Sequence, residues 1–369
     1  MLFADAGLSD GQISLLFTIW SLVGVVAELP TGVLADRYPR QHALAAGSVL
    51  QSVGFAAWTV APTFPGFAVG FVLWGIGGAF VSGADEALLY DGLAGRDGTE
   101  LFPAVLARAR AAALVAQAPA AGAASLLFWL GGYPLVGWVS VAGCLAVAVL
   151  AATLREGPAV EPEPTPLEPT LRDPTLREPT LRESTLRDAV DILRRDHRLR
   201  LLLVWVAGLT GLDAVEEYVP LLARHWTLPV TLVPAAVLAF SLAGAVGAAS
   251  GHRLVRLGEH ASGGLVMLAG VLLAAASFAS PLALIAALAF YLVYQAVLIP
   301  AGVRLQDAVE SRYRATLTSA VALGSEVTAL ACYAAWAGAQ AVGLALLVLL
   351  VGLVGLVGLG TASRPHRPG

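Results

Sequence analysis

Residues 28–41 read Glu28-Leu29-Pro30-Thr31-Gly32-Val33-Leu34-Ala35-Asp36-Arg37-Tyr38-Pro39-Arg40-Gln41. An apolar run that begins near residue 12 ends here in a turn holding one acid and two arginines. The run is about 20 residues long, enough for a helix to cross the ~30 Å hydrocarbon core of a bilayer. Its abrupt end in charge marks the place where such a helix would leave the apolar phase.

The same pattern recurs outward from this segment. Of 369 residues, 57% are hydrophobic and 13% charged, whereas soluble domains carry about 25% charged residues; the mean hydropathy is +0.76. Apolar runs lie at roughly 12–34, 42–61, 66–90, 103–127, 131–153, 199–222, 231–252, 262–279, 281–305, 315–337 and 339–361, about eleven in all. Irregular backbone at membrane depth would leave polar groups unpaired, so the spans must be helices. The fold class is an all-α membrane protein. Cys144 and Cys332 both fall within apolar runs, where thiols behave as small hydrophobes, and they encode neither a disulfide framework nor a metal cluster. His42, His197, His225, His252, His260 and His366 all lie at loops or span ends. No catalytic constellation or cofactor site is legible, which argues against an intramembrane enzyme. All 22 basic residues are arginine; this fits a GC-rich genome, and no nucleic-acid partner is read from it.

Connections between the spans alternate. Asp36–His42, Asp91–Phe102, Gly251–His260 and Gln306–Arg314 are charged, whereas Pro62–Pro65, Gly131–Gly132 and Ser280–Pro281 are short and uncharged. Every arginine except Arg224 falls on the side of the charged loops. Cytoplasmic loops carry the positive excess, so that side is cytoplasmic, the C-terminus with it, and Met1 lies outside. No signal sequence precedes the first span to carry an N-terminus across, which leads us to expect a further helix ahead of it. Between Leu154 and Arg198 the hydrophobicity collapses into a repeated pentapeptide, EPTLR, DPTLR, EPTLR and ESTLR, over Glu168–Arg187. Proline and alternating charge prevent a packed core, so this is read as a solvated tether in preference to a regulatory docking segment. Residues 187–200 are expected to form a short surface helix. The organisation is therefore an N-terminal bundle at 1–153, a cytoplasmic linker at 154–198, a six-helix bundle at 199–361 and a cytoplasmic tail at 362–369.

The segment Gly32-Val-Leu-Ala-Asp36-Arg37-Tyr-Pro39-Arg40-Gln41 resembles the signature Gly-x-x-x-Asp-Arg/Lys-x-Gly-Arg-Arg/Lys that follows the second helix of the major facilitator superfamily. Pro39 stands for the glycine and Gln41 for the last basic residue. The resemblance implies a two-bundle helical transporter with about eleven of twelve helices visible, the first visible span being family helix two. It also implies alternating access, the bundles rocking about a midplane site. Gly32, Asp36, Arg37 and Arg40 would form the cytoplasmic gate, a latch of aspartate at a helix end against arginines in the next turn. The equivalent place in the second half, Gly247–Arg256, keeps Gly247, Arg253 and Arg256 but has no acid. In the family pattern Glu28 precedes a kink at Pro30, and a proton role and a conformational role fit it equally. Drug–proton exchangers of the family carry Gly-Pro-x-x-Gly-Gly in helix five; Ala118–Ala123 keeps Pro119 and Gly122 of it.

Polar residues inside the spans supply the other candidates. Ser82, Glu86 and Tyr90 share a helical face beside Asp85, and Arg108 reaches a similar depth on the next span. A Glu86–Arg108 pair is read as structural, because intramembrane charges usually pair. Asp213, Glu216 and Glu217 cluster in the outer half of the span after the linker. Desolvation and like charge disfavour ionisation of crowded carboxylates, so Asp213 and Glu217 are proton-carrying candidates; Glu216 and Glu217 also fit acids meeting water near Tyr218 and Arg224. Glu326 sits near the middle of its span, with Ser319 and Tyr333 seven residues to either side, and must face the bundle. Tyr291, Tyr294 and Gln295 make a polar stripe that fits a cavity for an amphipathic molecule, joined by Gln117, and fits packing between helices equally. Gly247 with Gly251, and Gly352, Gly355 and Gly358, mark close helix packing.

The expectation is a proton-coupled secondary transporter of small organic molecules, exporting in preference to importing, monomeric in the inner (plasma) membrane and without cofactor or metal. Nutrient uptake on the same fold and a non-transporting membrane scaffold are the alternatives.

Overall fold

In the computed structural model a short helix α1 (Leu2–Asp5) precedes the first long one, α2 (Asp10–Arg37). The start of α2 is fixed by a reciprocal cap: Gln12 N–H donates to Ser9 Oγ (3.3 Å) while Ser9 N–H donates to Gln12 Oε1 (3.0 Å). Pro39, which has no N–H to lose, is the N-cap of α3 (Arg40–Val60). There follow α4 (Phe64–Ala94), α5 (Phe102–Thr153), α6 (His197–Gly211), a 3-10 turn (Leu212–Tyr218), α7 (Val219–His225), α8 (Val233–Ser250), α9 (Glu259–Ala275), α10 (Ala283–Ala308) and α11 (Arg314–Leu353), which runs into a π-helical end (Val354–Leu359). The described residues are 1–37, 39–94, 101–154, 193–280, 282–309 and 314–359. Side chains at 29–37, 83, 85–87, 90–91, 94, 102–104, 107, 110–111, 114, 314–316 and 358–359 lie outside that description.

Among the described residues, 7 helices are long and apolar enough to cross a membrane. Two of these are hairpins. α5 breaks at Gly131 and Gly132, where Gly132 takes φ +64°, a left-handed conformation that only glycine adopts without steric penalty. α11 breaks at Ala339 and Gln340, the latter at φ 49°. Dividing both, and adding the shorter apolar α9 and the interrupted α6–α7 segment, accounts for the spans expected from hydropathy. One expectation needs correcting: 199–222 is not a single α-helix. Pro220 lacks an N–H and its ring obstructs the carbonyl four residues back, that of Glu216; the N–H of Val219 bonds Glu216 O in the tighter 3-10 manner instead.

The chain divides into two units, Met1–Leu171 and Arg172–Gly369. In the first, α3 and α4 approach backbone to backbone: a Cβ on Gly47 would stand 2.7 Å from the Gly77 carbonyl, and the converse holds at Gly77. An aromatic cluster fills the end of this unit near α1, with Phe3 edge-on to Trp58 (5.8 Å) and Phe67 (4.7 Å), and Trp58 Nε1 donating to Phe67 O (3.0 Å). In the second unit, α8 meets α10 through Gly247, whose added Cβ would strike the Leu292 carbonyl, and through Gly251, 2.8 Å from Ala296 O. Gly352 and Gly355 meet Met267 and Trp205 in the same way. Large apolar residues remain on the outside, Val115 and Trp129 each 74% exposed. Water would penalise that surface and lipid would not.

Candidate functional site

The 3-10 turn decides the site. A 3-10 helix repeats every three residues, so Asp213 and Glu216 project from one face, and Glu217 points about 120° away. Opposite them on α10 stands Tyr291, a buried ring stacked on Phe240 of α8 (centroids 4.0 Å, planes 20° apart). Its hydroxyl lies 2.9 Å from Asp213 Oδ1 and 3.0 Å from Glu216 Oε2. Gln295, one turn further along α10, donates from Nε2 to the same Asp213 Oδ1 (3.0 Å). On the other side, Ser241 Oγ donates to Glu216 Oε1 (2.7 Å). Three elements of the second unit thus hold two carboxylates on shared donors. Asp213 is exposed at the surface of this unit and Glu216 is half-buried, so the network runs from an accessible acid to an enclosed phenol.

Proton inventory gives this arrangement its chemistry. A phenol has one O–H, yet two carboxylate oxygens sit within its reach. Both contacts are hydrogen bonds only when one of the acids carries a proton and donates it back to the phenol oxygen. Ser241 is divided similarly, between Glu216 and the Val237 carbonyl (3.3 Å). The two contacts of the shared phenol are therefore both made with one added proton and one donor short without it.

Glu217 turns the other way. Glu217 is half-buried on that side of the turn; on α11, Glu326 is half-buried and Tyr333 buried. The sequence placed Asp213, Glu216 and Glu217 together toward one side of an α-helix; in the structure Tyr291 joins Asp213 and Glu216, the local repeat being three residues and not 3.6. Tyr294 is fully buried, and its hydroxyl donates to Leu209 O (2.8 Å), so it packs α10 on α6. Tyr291 and Gln295 of the same stripe face the acids. The sequence reading did not find Ser241, although a lone hydroxyl amid the apolar stretch 233–249 is the signal that could have shown it.

Other candidates lie in the first unit. Glu28 and Gln117 are exposed in the first unit, as is Arg108, and Arg40 at the start of α3 is half-buried. The side chains of Asp36, Arg37 and Glu86, and the surroundings of Gly32, lie outside the described residues. In the second unit, the turn that has no acid of its own is tied by residues the sequence reading missed. Arg198 Nη2 donates to Glu259 Oε1 at the start of α9 (2.8 Å), and Arg304 of α10 donates to Ser262 Oγ (3.0 Å) and to Leu257 O. Among the described residues no group of three or more His, Cys, Asp or Glu is arranged to hold a metal ion.

These features can be set beside known proteins. A mutant of the nucleoside transporter NupG is similar in fold, with TM-score 0.71 and 12% identity, covering 98% of this chain and 93% of that one. A D-xylose-proton symporter gives 0.68 at 12% identity over 98% and 90%, and an inward-facing bacterial homologue of the iron transporter ferroportin gives 0.62 at 17% over 98% and 93%. No curated protein matches the sequence significantly. At such identities the structures establish the fold alone. The sequence itself matches the family model of the Major Facilitator Superfamily over residues 1–331. With that match over most of its length and a fold to suit, the chain belongs to the major facilitator superfamily and is a multi-pass membrane transporter of small molecules, not an enzyme.

Proposed function

We propose that this transporter is proton-coupled, works by alternating access and exports a small organic molecule. The observation that supports coupling is the single Tyr291 hydroxyl within hydrogen-bond distance of both Asp213 (2.9 Å) and Glu216 (3.0 Å). Loading one proton supplies the second contact of the shared phenol and releasing it breaks that contact, so protonation changes how firmly α10 holds the 3-10 turn. A coupling site needs that property: a proton must bias the protein between two conformations. Glu217 and Glu326 are further candidates to carry the same proton, and Glu28 is one in the other unit. Gln295 and Tyr291, with Gln117, are the substrate-contacting candidates. In this reading Gly32, Asp36, Arg37 and Arg40 gate the cytoplasmic side, Glu86 pairs with Arg108 as a structural tie, and the C-terminus is cytoplasmic. The protein works as a monomer in the inner membrane, its two bundles at 1–153 and 199–361 tethered by 154–198. Export is preferred on family resemblance, and uptake is the alternative.

The test is substrate-induced proton movement. Proteoliposomes containing the chain and an internal pH dye are challenged with a panel of drugs, sugars and nucleosides. Antiport predicts protons moving against the compound, abolished by Glu216→Gln or Asp213→Asn. A transported compound that moves no proton would remove the coupling, and protons moving with the compound would replace export by uptake.

A further inference from the structure

Three segments of the second unit come together at one of its ends. Arg198, at the start of α6, donates to Glu259, the first residue of α9 (2.8 Å). Arg304, near the end of α10, donates to Ser262 Oγ (3.0 Å) and to Leu257 O just ahead of α9. Residues 193–200, 251–260 and 304–309 at this end carry seven arginines and three acids, so its charge is positive. Two of the acids are already engaged inside the protein: Asp196 caps α6 by accepting from Leu199 N–H (3.0 Å), and Glu259 holds Arg198. Arg253 and Arg256 are different. Both are exposed, and among the described residues neither has a hydrogen-bond or ion-pair partner.

Local backbone geometry sets these two arginines side by side. A second 3-10 turn, Gly251–Leu254, follows α8. Its bonding to the third residue back continues past Leu254, from Val255 N–H to His252 O (3.5 Å) and from Leu257 N–H to Leu254 O (2.9 Å). Side chains three apart eclipse on such a turn, so Arg253 and Arg256 project from one face as two adjacent guanidinium forks, a geometry that grips phosphate oxygens. Beside them Val255 and Leu257 are 38% and 36% exposed. Apolar side chains interleaved with arginines gain little from water. Leu254, however, ends the apolar span Val230–Leu254, which puts this turn where hydrocarbon gives way to headgroups. There apolar side chains enter lipid while arginines reach the phosphates. An excess of arginine alone would only orient the chain; the unpaired forks and the exposed apolar pair at one level point to a bound lipid.

We propose that the turn joining α8 to α9 binds an anionic phospholipid, Arg253 and Arg256 on its phosphate and Val255 and Leu257 against the first methylenes of its chains. A zwitterionic headgroup also offers a phosphate but brings its own cation against the two arginines. The site lies within the second unit and holds whatever compound the transporter carries and in whichever direction.

The test is competition between dioleoyl-phosphatidylglycerol and dioleoyl-phosphatidylcholine, which share their chains, for the full chain in a neutral detergent, with bound lipid read by native mass spectrometry. An arginine near an anionic headgroup is worth about fivefold and two of them roughly 25-fold, so the wild type should prefer phosphatidylglycerol by about tenfold or more. Arg253→Gln with Arg256→Gln should cut that preference by about tenfold or more and leave phosphatidylcholine binding within about twofold. Arg253→Lys with Arg256→Lys should keep the preference within about threefold, which separates lost charge from lost fold. Arg224→Gln, near the far end of α9 where His225 meets Ser277 O (2.9 Å), should leave it within about twofold. No preference in the wild type, or one that survives the glutamine pair, overturns the proposal. So does an equal loss in Arg224→Gln, because net charge and not this turn would then select the lipid. Displacement of phosphatidylglycerol by equimolar glycerophosphoglycerol, the same headgroup without chains, also overturns it, since the turn would then hold soluble anions.

Discussion

Replacing Tyr291 by Phe removes one oxygen from the centre of the acid network and little else. The ring remains buried and stacked on Phe240. Asp213 keeps its bond from Gln295 and Glu216 its bond from Ser241, so neither acid is stranded. What disappears is the group that makes the protonation of one acid felt by the other. A hydrogen bond to a charged partner contributes about 1.5–3 kcal/mol. At about 1.4 kcal/mol per tenfold, that energy corresponds to a roughly 10- to 150-fold weaker link between proton binding and the conformation of α10. Substrate accumulation driven by a pH gradient in proteoliposomes should fall by that factor. Counterflow exchange at equal pH, which needs the conformational cycle but no net proton movement, should stay within about threefold, and the melting temperature within about 5 °C. If accumulation is unchanged, or if accumulation and counterflow fall together while the melting curve is intact, the shared phenol is not the coupling element.

Other outcomes follow from the same geometry. Ser241→Ala combined with Tyr291→Phe takes from Glu216 both side-chain donors described here, so the double variant should lose about 0.5–3 kcal/mol more than the singles add up to, read as accumulation. Gly47→Val pushes a Cβ to 2.7 Å from the Gly77 carbonyl and 2.9 Å from Val81; the overpacking should cost about 1–3 kcal/mol and lower the melting temperature in detergent. Trp226→Phe removes the indole bond to Ala276 O (2.7 Å), leaving a buried carbonyl unsatisfied at about 1–3 kcal/mol. By contrast, a double-mutant cycle on Arg198 and Glu259 should return less than about 1 kcal/mol, because the arginine side chain is 53% exposed and water screens the pair.

The helices were legible because each had to satisfy its own backbone in an apolar solvent, so hydropathy alone located them. Gly131-Gly132 marked its hairpin for a conformational reason; Ala339-Gln340 carried no such mark, since neither residue favours the left-handed region that Gln340 occupies. The acid network was half legible. Asp213, Glu216 and Glu217 advertised themselves as charges in an apolar run, but an α-helical repeat puts all three toward one side, whereas the 3-10 turn ahead of Pro220 puts Asp213 and Glu216 on one face. Tyr291 and Tyr294 are near neighbours on a helix, yet the two rings answer to different partners, the acids of the 3-10 turn and Leu209 on α6, which spacing alone does not report. Ser241 and Glu259 act through residues distant in the chain, and no local pattern reports such partners.

The breaks inside α5 and α11 bear on how the chain enters the bilayer during synthesis. Two residues, Gly131 with Gly132 and Ala339 with Gln340, are all that depart from helical geometry between antiparallel apolar segments. Nothing hydrophilic of any size has to be moved across the membrane at either turn. Neither partner of such a pair can wait in water for the other, because each would expose its apolar surface meanwhile. Each pair should therefore leave the translocon as one hairpin, so that a charge placed at the turn delays both helices at once.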